Sequence, residues 1–163
     1  MIYKKGVLDM NLQTPRTFIR PFRLTDVADL YKVLSNTVVM QYIEPPFSFE
    51  KTEAFIRDHG LCNPPRVYAL EDRISATVIG HVIFHPYDAQ SHELGWILHS
   101  DYWGKKIASE ITEALIHYAK QQKIQQLILE CDKAQTASKR IAEKFGFTLI
   151  ATEENREIYR LIL

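Results

Sequence analysis

The chain has 163 residues, 46% of them hydrophobic, with 20 Lys plus Arg set against 20 Asp plus Glu. That is the length of one domain with material for a full core, and it is too apolar for a disordered chain. Zero net charge argues against a broad basic face for nucleic acid, no apolar run approaches the roughly 18 residues of a membrane span, and two cysteines make no disulfide framework.

The expectation is one cytoplasmic domain over residues 1–163, with 1–14 as an N-terminal extension. Met1 to Asp9 carries Lys4 and Lys5 but lacks the apolar stretch of a signal peptide. Thr17 to Arg20 reads as a first strand. Thr25 then stands as an N-cap with Asp26 and Asp29 in the first turn, and Val27, Leu30, Tyr31 and Leu34 recur at helical spacing to about Ser35. Pro45-Pro46 breaks the chain, and Ser48 caps a second helix with Phe49, Phe55 and Ile56 on its apolar side.

The period then changes. Val67–Leu70, Ala76–His85 and Glu93–His99 are β-rich runs between polar turns, which predicts a three-stranded meander. From Gly104 the helical period returns, with Ile107, Ala108, Ile111, Ala114, Leu115 and Tyr118 on one stripe. Ile124–Glu130 is the next strand. Ala134, Ala137, Ser138, Ile141, Ala142 and Phe145 share a further helix face, closed by Gly146 as its C′ residue. Phe147–Thr152 and Glu157–Leu163 form a hairpin. The order β-α-α-β-β-β-α-β-α-β-β predicts an α/β domain with a mixed sheet and helices on its faces.

The stretch Glu93 to Glu110 carries the most chemical information. A strand passes through a short loop into a long helix, whose unpaired N–H groups and positive dipole end suit a phosphate. Lys105 and Lys106 add charge there, and Gly104 allows close approach to the backbone. The alternative is an ordinary strand-to-helix turn with two solvated lysines.

Residues Trp103 to Ala108 resemble the acyl-CoA-binding motif of the GNAT acetyltransferases, Gln/Arg-x-x-Gly-x-Gly/Ala. The context Tyr-Trp-Gly-Lys-x-x-Ala-x-Glu is similar to the branch with ribosomal-protein N-terminal acetyltransferases. Gln135-x-x-Ser138, followed by Glu143 to Phe147, resembles that branch's Asn-x-x-Ser…Glu-Lys-x-Gly-Phe signature. Ile19 to Val27 resembles its opening strand and turn. The resemblance spans Phe18 to Phe147.

It implies a mixed, mostly antiparallel sheet of about six to seven strands, splayed between two parallel strands, with helices on both faces. It also implies acetyl-CoA as co-substrate. Trp96, Ile97 and Leu98 would meet the pantetheine arm through their backbone. Trp103, Gly104, Lys105, Lys106, Ile107 and Ala108 would hold the pyrophosphate, with Gln135 and Ser138 completing the cofactor site. Three departures stand out: Trp103 replaces Gln/Arg, Lys106 replaces Gly, and Gln135 replaces Asn. Lys106 either crowds the pyrophosphate or stabilises it.

Acetyl transfer to an amine needs a base, because a primary amine is mostly protonated at neutral pH. Glu93, beside the expected acetyl position, is the candidate base; the alternative is an exposed charge at a strand start. His99 closes the same strand but begins the loop. Ala142 stands where many family members place a Tyr acid, so that route is closed. Ser138 either hydrogen-bonds the departing sulfur or is a small residue that packs the helix. Cys131 need not be a nucleophile, since most free cysteines are buried hydrophobes.

No metal is expected. His81 and His85 share a strand face about 13 Å apart, at about 3.3 Å per residue, and His92-Glu93 lacks a helical HExxH setting. No GxSxG elbow or Walker sequence occurs. Tyr42 and Glu44 are candidate acceptor contacts, Glu44 by attraction for a cationic amine; equally, Pro45-Pro46 merely shapes that loop. The expected partner is an amine-bearing acceptor, a peptide N-terminus or a small amine. A CoA-binding module without catalysis is the rival reading. Neither nucleic acid nor membrane is expected, and the chain is read as a monomer or homodimer.

Overall fold

A computed structural model describes residues 10–163. The reading of Met1 to Asp9 lies outside the described residues, as does most of the expected 1–14 extension. Of the remainder, Met10 and Thr14 are buried and Leu12–Gln13 forms a short strand.

Among the described residues, eight strands make one sheet in the order β1-β2-β3-β4-β5-β6-β8-β7. They are β1 (Leu12–Gln13), β2 (Thr17–Arg20), β3 (Val67–Asp72), β4 (Val78–Pro86), β5 (Ser91–Leu98), β6 (Gln126–Asp132), β7 (Thr148–Thr152) and β8 (Arg156–Ile162). The sheet exceeds the expected six to seven strands because Leu12 and Gln13 pair with Ile19 and Phe18. A strand of two residues has no alternation to read. Every pairing is antiparallel except β5 with β6.

Helices α1 (Val27–Leu34), α2 (Thr37–Met40) and α3 (Phe49–Phe55) cover one face. Leu30, Val33, Leu34, Met40 and Ile56 pack there on Val67, Ala69 and Val78. Ser48 caps α3 by accepting from the Lys51 amide at 3.1 Å, as expected. The start of α1 differs from expectation. Asp26, not Thr25, holds this turn: its carboxylate accepts from the Arg23 amide at 2.7 Å and pairs with Arg20 at 2.9 Å. The largely buried guanidinium of Arg20 needs a carboxylate partner, and Asp26 is within reach.

Helices α4 (Ile107–Gln121) and α5 (Thr136–Lys144) cover the other face. Ile107, Ile111, Leu115 and Ala119 pack on Leu70, Val82, Leu94 and Leu98, while Ala142 joins Cys131, Phe147 and Tyr159. Ile111 and Leu115 are fully buried, and each contributes about 1.5–3 kcal/mol of apolar transfer. Gly146 closes α5 with φ +82°, the left-handed conformation expected of a C′ residue. No helix among the described residues is long and apolar enough to cross a membrane.

The two edges of β5 are paired to different extents. Toward β4 it is paired from Gly80↔Leu98 to Pro86↔His92, so closely that a Cβ on Gly80 would lie 1.9 Å from the Ile97 carbonyl oxygen. Toward β6 the register runs only through Ser91↔Gln126, His92↔Leu127 and Glu93↔Ile128.

Candidate functional site

Beyond Glu93 and Ile128 the two parallel strands part. The gap is a cleft of about 240 Å³, walled by Glu93 to Ile97 on one side and Leu129 to Asp132 on the other. Its backbone is chemically available. The His99 amide donates to the Ile79 carbonyl of β4 at 2.8 Å. Strand alternation then turns the backbone groups of Trp96 and Leu98 the other way, toward the cleft. The Leu98 carbonyl there accepts from the Trp103 indole at 3.0 Å. The side chains of Trp96 and Leu98 pack in the α4-side core, and Ile97 packs against the opposite one.

At the α4 end, the turn after β5 is a short 3₁₀ segment, Ser100–Tyr102, followed by Trp103 to Lys106. Gly104 has φ +71°, and a Cβ there would meet nothing within 4 Å. Lys106, the residue before α4, also adopts the left-handed conformation, with φ +63° and ψ 15°. The helical period begins at Gly104 in the sequence, but the helix itself starts at Ile107, because a left-handed residue cannot belong to a right-handed helix. No side chain among the described residues caps α4, which leaves its first N–H groups open. Lys106 is exposed and forms no ion pair among the described residues, while Lys105 lies 5.5 Å from the Tyr102 ring centroid. Open amides, a glycine and two lysines make this turn suited to an anion.

The turn is fixed from behind. Glu110 Oε1 accepts from the Thr14 hydroxyl at 2.5 Å and the Arg16 amide at 2.9 Å. Arg16 Nε lies 2.8 Å from Glu110 Oε2, and Nη1 donates to the Lys105 carbonyl at 2.6 Å. Partial burial works against the Glu110 charge, yet these hydrogen bonds hold its carboxyl below the usual value of 4.5.

On the other face, alternation places Glu93, Gly95 and Ile97 on the α1–α3 side. Tyr42 and Ile43, both exposed, reach the cleft from the loop after α2. Glu44 does not line it; it pairs with Lys51 at 3.0 Å. Gln135 and Ser138 line the cleft from the start of α5. The Gln135 side-chain oxygen accepts from the Asp132 amide at 2.8 Å, so this amide closes the end of β6. The Ser138 hydroxyl is half-buried and has no partner among the described residues. Cys131 is buried, and burial pushes its thiol up to about 11. His99 accepts from the Asp101 amide and holds the turn.

Sequence reasoning missed four residues around Glu93. His85 Nε2 lies 3.1 Å from Glu93 Oε2. Glu130 follows Ile128 on the same face of β6, and it accepts from the Tyr87 hydroxyl at 2.9 Å and pairs with Arg156 at 2.8 Å. The pairing of His85 with Glu93 follows from the β4–β5 hairpin register. The approach of Glu130 and Arg156 depends on long-range strand order and has no local signature. Among the described residues, no group of three or more His, Cys, Asp or Glu is placed to hold a metal ion.

Residues 16–148 match the family described as "Acetyltransferase (GNAT) domain". The uncharacterized N-acetyltransferase YnaD of Bacillus subtilis strain 168 is 30% identical over 140 residues, which are 84% of this chain and 82% of that one. A GNAT-family acetyltransferase structure from Bacillus anthracis superposes with a TM-score of 0.85 at 25% identity, covering 94% of this chain and 98% of that one. RimL, a ribosomal alpha-N-protein acetyltransferase solved with coenzyme A, gives 0.80 at 20% identity, over 94% and 98% of the two chains. The microcin C7 self-immunity acetyltransferase MccE, solved with acetyl-CoA and AMP, gives 0.79 at 16% identity, over 91% and 93%.

Proposed function

Because the chain belongs to the GNAT acetyltransferases, whose reaction is acyl transfer from CoA, we propose that the cleft between β5 and β6 is where it acetylates a primary amine. The observation that carries this reading is the end of β5–β6 pairing at Glu93↔Ile128. It opens a passage between an anion-suited helix start on one face and a carboxylate on the other.

The residues present suit acyl-CoA. The open amides of α4 from Ile107, together with Gly104, Lys105 and Lys106, would hold the pyrophosphate, with Trp103 and Ala108 flanking it. The backbone groups of Trp96 and Leu98, which turn toward the cleft, would pair with the amide-bearing pantetheine arm as a strand would, while those of Ile97 stay in the β4 ladder. Gln135 shapes the far wall. The left-handed backbone at Lys106 is a conformation that favours glycine, so the usual family residue there is a backbone choice. Lysine keeps that geometry and adds an ammonium.

Bound acetyl-CoA supplies an activated thioester carbonyl. Glu93 takes a proton from the acceptor amine, freeing its lone pair to attack. The free Ser138 hydroxyl donates a hydrogen bond toward the departing sulfur. Tyr42 borders the acceptor side. RimL modifies a ribosomal protein's α-amine, and its fold likeness favours a peptide N-terminus over a small amine here. That preference is analogy, since one fold serves many acceptors.

Calorimetry with acetyl-CoA, followed by a thiol-release assay over peptides and small amines, tests the reading. Binding with turnover on a peptide N-terminus is expected. Absence of binding at millimolar acetyl-CoA overturns it, and binding without turnover on any amine leaves a CoA-binding module.

A further inference from the structure

His85 faces Glu93 directly across the β4–β5 ladder, and each of its ring nitrogens meets an oxygen. Nδ1 lies 2.9 Å from the Pro86 carbonyl, and Nε2 lies 3.1 Å from Glu93 Oε2. A carbonyl only accepts, so Nδ1 carries a proton. An ionised carboxylate also only accepts, so the second contact needs a proton on Nε2 as well. The ring is therefore an imidazolium when Glu93 is ionised. Both groups are largely shielded, with side-chain exposures of 14% for His85 and 23% for Glu93.

We propose that His85 is a positioning residue for Glu93: its imidazolium holds Oε2 and leaves Oε1 directed at the acceptor amine. The inference rests on the reading of Glu93 as the base. Its physical value is aim. A free carboxylate on a three-bond stem samples several rotamers, whereas one oxygen fixed by a charge-assisted hydrogen bond leaves the other in a defined place.

Other charged or titratable groups face the pair. Arg66, from the loop before β3, opposes the charge on His85, while burial and the charge on His85 lower neighbouring His92. On the cleft side stands Glu130, held by Tyr87 and Arg156. The hydrogen bond to Glu93 outweighs the opposing effect of burial and raises His85 above 6.5. As pH climbs through that raised value, the ring loses its Nε2 proton and keeps the one on Nδ1. A lone pair then faces the carboxylate, and Glu93 is released. The pair thus sets an upper pH bound on the aim of the base.

Imidazole NMR titration of the full chain tests this without an acceptor, with His85→Gln identifying the signal. His85 is expected to titrate above 6.5 and to fall in Glu93→Gln. A midpoint at or below 6.5, or one unmoved by Glu93→Gln, overturns the proposal. Thiol release over the amine and peptide panel tests the consequence. His85→Leu should lower kcat by about 10²-fold with KM for acetyl-CoA unchanged. His85→Gln, which donates at every pH, should recover much of that loss and lack the alkaline limb. Wild-type kcat in His85→Leu overturns the proposal, as does an alkaline limb retained in His85→Gln. So does a kcat loss matched by lost acetyl-CoA affinity or thermal midpoint. Wild-type kcat in Glu93→Gln, or a wild type inert on the whole panel, instead removes the base reading, and the titration then decides the pairing alone.

Discussion

Strand β6 has two edges that behave differently. Toward β8 it stays in register along its whole length, from Gln126↔Ile162 to Asp132↔Arg156. Toward β5 it keeps three pairs and departs. On the first edge the backbone groups are satisfied by the ladder, so residues there answer to packing and stability. On the second they face a cleft, so residues there answer to what they present. The same division runs through β5, whose β4 edge is closed and whose β6 edge is open.

Substitutions can sharpen or break that contrast. The largest effect is expected at the open edge. Glu93→Gln should lower kcat by about 10²–10⁴-fold, the usual range for a general base, with little change in thermal midpoint. A fallen midpoint with intact turnover would move Glu93 to the structural class and break the contrast. At the closed edge, Gly80→Ala should do the reverse. The new methyl meets the Ile97 carbonyl oxygen at 1.9 Å, so β4 and β5 must move apart, at a cost of about 3 kcal/mol or more in denaturant unfolding.

A pH effect of similar size belongs to the packed side. His81 is 2% exposed, its Nδ1 has no hydrogen-bond partner among the described residues, and its ring lies 5.0 Å from that of Phe55. Burial, aided by His59, lowers its pKa from 6.5 to about 4. The folded chain keeps His81 neutral while the unfolded chain takes a proton, so stability is complete above 6.5 and falls as pH drops from 6.5 toward 4. The loss approaches about 3 kcal/mol at the acid end. Thermal melts across that window should show the slope in the wild type and a flatter profile in His81→Phe.

The smallest effect is the most diagnostic of the turn. Lys106→Gly removes a left-handed non-glycine residue and should stabilise the fold by about 1 kcal/mol. The same change removes an ammonium and should weaken acetyl-CoA binding about fivefold, a coupling typical of one partly exposed charge. Opposite signs in melting and calorimetry would confirm that shape and charge separate at this position; tighter binding would show that the side chain obstructs.

Much of the fold was legible because its signals are local. The stripe of α4, the Ser48 cap and the left-handed Gly146 each depend on neighbours within a few residues. β1 escaped because two residues carry no period, and Thr25 was misread because Arg20 recruits Asp26. Trp103 to Ala108 mark the helix start in sequence, whereas the left-handed state of Lys106 is a backbone fact without a residue signature. Glu93 was visible as a charge on a strand. Its surroundings were not, because His85, Glu130, Tyr87 and Arg156 come from other strands and loops, and their meeting depends on register.

The tether behind the α4 turn has a consequence for order in time. Arg16 reaches partners 89 and 94 residues further along the chain, and Thr14 reaches one 96 residues away. Contacts that distant carry a loop-closure cost that local contacts do not. A nascent chain whose first helix and meander are made still lacks the Glu110 end of that clasp. The turn proposed to grip phosphate is finished only when the beginning of the chain and its middle are docked together. On the proposed reading, the grip on the nucleotide then depends on contacts between segments 89 to 96 residues apart as well as on the turn itself.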